Sequence, residues 1–242
     1  MKKVLVFISL ALLVGLISSF AFAETPAEVI VKADALYDKA DMASVKESMK
    51  LYKSVMTGNE EAGWKFARSS YWVGVRTATK ADKELIFDDA YKAVRPYYDS
   101  GSNNVPTNYW FALSAGKYGK IHGVLKSLFL VKPMKTAANK VVSKDPGYED
   151  GSAYTILGAI EYEVPGGDKK KTIEYCNKKI GYEPNDISAN LYLGKAYYDT
   201  KAYAKAKERL DILIANAKPE TADEKADVAE AKELLVKVKA KM

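Results

Sequence analysis

The sequence predicts an all-α protein: a solenoid of about five stacked helical hairpins, closed by a C-terminal capping helix. Three observations predict it. The stretch from Tyr154 to Pro219 repeats itself, with Leu157-Gly158 returning as Leu193-Gly194, 36 residues on, and Pro184 as Pro219, 35 residues on. From Thr25 onward apolar residues recur three and four positions apart, the period of a helix face. No long alternating polar–apolar run competes as a strand. A helical hairpin cannot bury its apolar face alone, so repeats of this length stack on their neighbours.

The first hairpin opens at Thr25-Pro26, a capping residue followed by proline in the first turn. Its first helix carries Val29, Ala33, Leu36 and Ala40. Its second starts at Asp41 or Ser44, carries Val45, Met49, Tyr52 and Met56, and closes near Gly58-Asn59. The second unit starts near Glu61, with Trp64, Ala67, Tyr71 and Gly74 on one face. Its partner helix, from about Ala81 to Tyr98, carries Leu85, Ala90, Ala93 and Val94. Pro96 is expected to kink or shorten that helix, since it lacks a backbone N–H. Asp99 to Asn104 reads as a loop.

The third unit begins at Pro106 with Tyr109-Trp110, Leu113, Ala115 and Tyr118, and its second helix ends before Lys144-Asp145-Pro146-Gly147. It holds about ten residues beyond the period, around Gly119 to Lys132. The apolar Val124, Leu125, Leu128, Phe129 and Leu130 there suggest a lengthened helix or a covered insertion. The fourth and fifth units run from Gly151 to Pro184 and from Asp186 to Pro219. Pro165-Gly166-Gly167-Asp168 forms a widened turn, with Asp168 as the next cap. The last helix, Thr221 to Lys239, has a stripe of Val228, Ala231, Leu235 and Val238 to cover the open end of the stack. The same spacing also suits a seam with a second copy, a possible homo-oligomer. Gly158 and Gly194 mark where paired helices cross closely, with Ala206 suited to the facing helix.

Residues 1–23 read as an export signal. Met1-Lys2-Lys3 is basic, Val4 to Phe22 is almost wholly apolar, and Ala21-Phe22-Ala23 fits small-x-small cleavage. Cleavage after Ala23 leaves residues 24–242 as one repeat domain outside the cytoplasmic membrane. With no cysteine at the cleavage site, no lipid anchor is expected. The formal net charge is +6, spread along the chain rather than gathered in a basic run with exposed aromatics, so nucleic acid is not an expected partner.

The repeat resembles the tetratricopeptide repeat (TPR) family, most clearly over Tyr154 to Pro219. That resemblance implies a right-handed stack acting as a binding scaffold. A narrower likeness rests on Tyr109-Trp110, Gly116-Lys117-Tyr118-Gly119, Val131-Lys132-Pro133-Met134, Asp145-Pro146-Gly147-Tyr148, Leu157-Gly158 and Val164-Pro165-Gly166-Gly167-Asp168. In order and spacing these blocks resemble the T component of periplasmic TRAP transporters. The resemblance implies an all-helical periplasmic protein working with a solute-binding protein. A more distant likeness is to the repeat domain of the regulator of microtubule dynamics family. It implies the same scaffold, but an exported chain does not share a microtubule role.

Nothing in the residue inventory points to catalysis. His122 is the only histidine, which rules out a dyad of histidines or a multi-histidine metal site, and no cofactor is called for. Cys176, the single cysteine, falls where the repeat's second helix holds a large apolar residue and reads as a buried small hydrophobe. Gly166 to Lys171 lacks the spacing of a phosphate loop. The expectation is therefore a non-enzymatic scaffold with a protein partner. Trp64, Tyr71, Trp110, Lys117, Tyr118 and Lys126 are the candidate recognition residues, because aromatic and basic anchors dominate long-lived interfaces. The alternative is a carrier of a small apolar ligand, with Trp110, Tyr118 and the Leu125 to Leu130 run enclosing a pocket.

Overall fold

The computed structural model describes residues 24–242; the assigned export signal, 1–23, lies outside them. The described residues form eleven helices and no strand: α1 (Pro26–Tyr37), α2 (Met42–Val55), α3 (Glu60–Arg76), α4 (Lys80–Asp99), α5 (Val105–His122), α6 (Val124–Lys144), α7 (Tyr148–Glu163), α8 (Lys169–Tyr182), α9 (Ile187–Asp199), α10 (Tyr203–Asn216) and α11 (Ala222–Lys239). Short polar side chains start most of them. The Thr25 and Thr221 hydroxyls accept from the N–H groups of Glu28 and Glu224, whose carboxylates reach back to complete capping boxes. Asp41 caps α2 and Asp168 caps α8.

Consecutive helices pack as hairpins, and each hairpin packs on the next. The odd-numbered helices α3, α5, α7, α9 and α11 also touch one another in succession, whereas the even-numbered helices lack a comparable contact. The stack therefore bends with the odd-numbered helices on its inner side. The paired helices cross where the sequence placed small residues. A Cβ on Gly194 would stand 2.6 Å from Leu210 Cδ2, and one on Gly158 2.6 Å from Cys176 Sγ. Gly119 serves the α5–α6 crossing in the same way, with Ser127 Cα 3.0 Å from the Cβ it lacks. The largest core cluster joins α3, α4, α5, α6 and α7 through Ala67, Tyr91, Val94, Trp110, Phe111, Val141 and Leu157.

Several local expectations need correction. Ala40 is not part of α1, which stops at Tyr37; Ala40 is exposed and turns the chain at φ 53°. Leu85 is 68% exposed, because the buried seam of α4 is Phe87, Ala90, Tyr91 and Val94. Leu85 stands two residues before Phe87, about 200° round the helix. Pro96 does not shorten α4, which continues to Asp99. The extra residues of the third unit form the lengthened helix α6. Their apolar run is not covered: Val124, Leu125 and Phe129 are 78%, 69% and 72% exposed. The inward seam of α6 is Leu130, Ala137, Ala138 and Val141, and an apolar run this dense cannot fit on one helix face.

Candidate partner-binding face

The inner side of the N-terminal units carries a wall of aromatic rings around one guanidinium. On α3, Trp64, Arg68 and Tyr71 follow at four- and three-residue spacing and so share a face. The Arg68 guanidinium carbon lies 3.8 Å from the Tyr37 ring centroid and 5.4 Å from that of Trp64. Tyr71 meets Trp110 of α5 with centroids 5.9 Å apart; Tyr109 meets Trp110 at 4.9 Å and Tyr148 at 5.3 Å. Trp110 is 6% exposed, so most of its ring is core. Two donors in this wall are buried without an acceptor, Trp110 Nε1 and Arg68 Nε. Such groups are costly to leave unpaired, on the order of 1–3 kcal/mol each.

A strained turn brings an acid to the same wall. Glu149, Asp150 and Gly151 take left-handed conformations in succession, at φ 48°, 52° and 73°. For the two non-glycine residues this costs roughly 1–2 kcal/mol each. Lys179, 1% exposed, braces the turn: its Nζ donates to the Asp150 carbonyl at 3.0 Å and pairs with Glu183 at 2.6 Å and Asp186 at 3.5 Å. Burial raises the Glu149 carboxyl above its usual range and Asp150 adds to this, while Arg68 and Lys179 oppose it. Burial, helped by Glu149, lifts the Tyr148 hydroxyl to about 12. That hydroxyl faces Trp110 Nε1 without closing a hydrogen bond.

Helix α11 lies over the other end of this face. Lys117 Nζ is 2.7 Å from Asp223, and Arg76 is 2.6 Å from Glu220. The Lys117 amine also stands 5.6 Å from the Tyr71 centroid. Burial alone would lower the Lys117 pKa, but Tyr71 and Asp223 outweigh it and the net shift is upward. Burial pushes Asp223 up, but its hydrogen bond to Lys117 and that residue's charge bring it below the ordinary range.

The six candidate residues thus divide. Trp64, Tyr71, Trp110 and Lys117 face the inner side. Tyr118 and Lys126 pair with each other at 5.5 Å on the outer side, where Tyr118 stacks on Tyr91 at 4.4 Å. Sequence reading missed Arg68, although its spacing from Trp64 and Tyr71 placed it on their face. It also missed Tyr37, Tyr148 and Asp223, which no local pattern marks because they arrive from distant units. Leu125, Leu128 and Phe129 stand exposed rather than enclosing a ligand; an open cleft of about 660 Å³ lies elsewhere, lined in part by Pro26, Val55, Glu60, Trp64 and Pro106. Cys176 is fully buried, and burial pushes its thiol up to about 12.

Residues 29–167 match the family model described as Regulator of microtubule dynamics protein 1-3, more than half of the chain. No curated protein matches it. Among solved structures, a thermophilic TPR protein of Thermus thermophilus is similar with a TM-score of 0.57 at 11% identity, over 86% of this chain and 100% of that one. That likeness shows a shared TPR fold. The TPR2AB domain of yeast Sti1, in its complex with pHSP90, is similar at a TM-score of 0.37 and 13% identity, over 88% of this chain and 98% of that one.

Proposed function

The chain belongs to the regulator of microtubule dynamics protein 1-3 family, and from that premise we propose that it is a non-catalytic helical-repeat scaffold that grips a protein partner along its inner face. The observation that carries this reading is the aromatic wall around Arg68, where two buried N–H donors lack acceptors. A partner segment offering a carboxylate beside an apolar side chain would pair with the part-exposed Arg68 guanidinium and cover the rings. The strained turn at Glu149 to Gly151 supports it too, since strain of this kind gathers at binding sites.

The leader with its Ala21-Phe22-Ala23 site supports export, and an exported scaffold meets extracytoplasmic partners rather than microtubules. The block order shared with TRAP T components favours a solute-binding protein as that partner. Titrating a TRAP-type solute-binding protein with the wild type and with Trp64→Ala/Arg68→Ala tests the reading. The double variant should bind about 30-fold or more weakly, as loss of a hot spot does. Tyr118→Ala on the outer side should bind as wild type. Equal binding by wild type and double variant, with helical circular dichroism intact, would sink it. Export is tested apart, by N-terminal sequencing of the secreted protein, which should begin at Glu24.

A further inference from the structure

From Ser100 to Lys144 the chain holds seven lysines and, over 45 residues, no Asp or Glu. Four of the seven are engaged: Lys117 with Asp223, Lys135 with Glu161, and Lys140 and Lys144 with the carbonyls of Ser102 and Asn103. Lys120, Lys126 and Lys132 are exposed and form no ion pair among the described residues. They surround the α5–α6 corner, where Val124, Leu125, Leu128 and Phe129 project at 78%, 69%, 42% and 72% exposure. These four fall at i, i+1, i+4 and i+5, one side of the first two turns of α6. The helix opens at Gly123, φ 93°, with no side-chain cap, so its first backbone N–H groups add positive potential at the tip. Asp88, the acid brought near by α4, is taken up by His122 at 2.7 Å and Lys92 at 3.8 Å.

We propose that this corner docks peripherally on a leaflet of anionic phospholipid, with Leu125 and Phe129 entering the acyl boundary and the three lysines that form no ion pair meeting the phosphates. Exposure this high requires side chains that protrude, which suits a yielding lipid surface. A second copy seated on the same patch would set lysines against lysines. No described helix is long and apolar enough to cross a membrane.

The test is co-sedimentation of the full chain with vesicles of phosphatidylglycerol in phosphatidylcholine, and with phosphatidylcholine alone, alongside hydrogen exchange on the bound protein. Wild type should favour the anionic vesicles, with new protection over residues 120–132. Leu125→Ser/Phe129→Ser should bind about tenfold or more weakly. Each of Lys120→Gln, Lys126→Gln and Lys132→Gln should cost about fivefold. These lysine variants leave the apolar side chains untouched, so they decide the matter even if the double serine variant misfolds. Equal binding to both vesicle types, or protection that bypasses 120–132, would overturn the proposal. So would a dimer by light scattering that Phe129→Ser dissolves, or an acidic protein that occupies the corner while vesicles do not.

Discussion

Gly194 and Leu210 meet so closely that even one added methyl collides, 2.6 Å from Leu210 Cδ2. Gly194→Leu should therefore overpack the α9–α10 crossing and cost on the order of 1–3 kcal/mol. For a chain of this size each kcal/mol lowers the melting point by roughly 2–4 °C. An unshifted thermal midpoint would mean the helices do not cross there. Lys179 makes a second test. Lys179→Met leaves Asp186 without its cation and the Asp150 carbonyl without its donor. The expected loss in urea denaturation is about 2–3 kcal/mol, below that of a fully buried pair because Glu183 is half exposed. A loss under 0.5 kcal/mol, roughly the size of an ordinary surface change, would show that the strained turn holds itself. The glycines were legible in the sequence because a missing Cβ is a local property. Lys179 was not, since nothing around it announces that Asp150 will turn left-handed beside it.

Helix α11 closes the fifth unit with Ala231 and Val238 fully buried and Val228 and Leu235 half-buried, the stripe that its spacing foretold. Truncation after Pro219 should bare Leu191, Leu210 and Leu213 and cause aggregation or a large fall in melting temperature. A truncated chain that stays stable and only changes its oligomeric state would assign α11 to self-association instead. The ion pairs of its N-terminal end add a pH dependence. Asp223 is depressed below 3.8, so its contribution is present above that value and lost as pH falls through the lower folded one. Lys117 is raised above 10.5, so its contribution is lost only as pH rises past that. The hydrogen-exchange protection factors of residues 224–227, corrected for the intrinsic rate at each pH, should accordingly hold at neutral pH and fall below about pH 3.8. Asp223→Asn should reproduce that loss of protection at pH 7. Exchange indifferent to both changes would show that the pair does not hold the helix. The reach of α11 to α3 was not legible, because it depends on how five crossing angles accumulate.

A stack of repeats is held by neighbours alone, and its ends can melt apart. Here α11 and the turn before it tie the last unit back to the second and third through Glu220–Arg76 and Asp223–Lys117. The wild type should therefore unfold calorimetrically in one transition, whereas Arg76→Ala/Lys117→Ala should split or broaden it. A sharp single transition in that variant would show that packing alone joins the two ends. At this scale the period in the sequence foretold hairpins, their order and the closing helix. It could not foretell which distant rings meet the Arg68 guanidinium on the inner side: Tyr37 and Tyr148 lie 31 and 80 residues from it and reach it only because the stack curves. Burial of Cys176 has a practical corollary. At neutral pH a thiol held up near 12 offers almost no thiolate, so the native chain is blank to maleimide chemistry. Cysteines placed at exposed Lys80 and Lys225 would be the only reactive handles. Carrying a donor and an acceptor dye, they would turn the seam between α11 and the early units into an optical gauge, readable one molecule at a time.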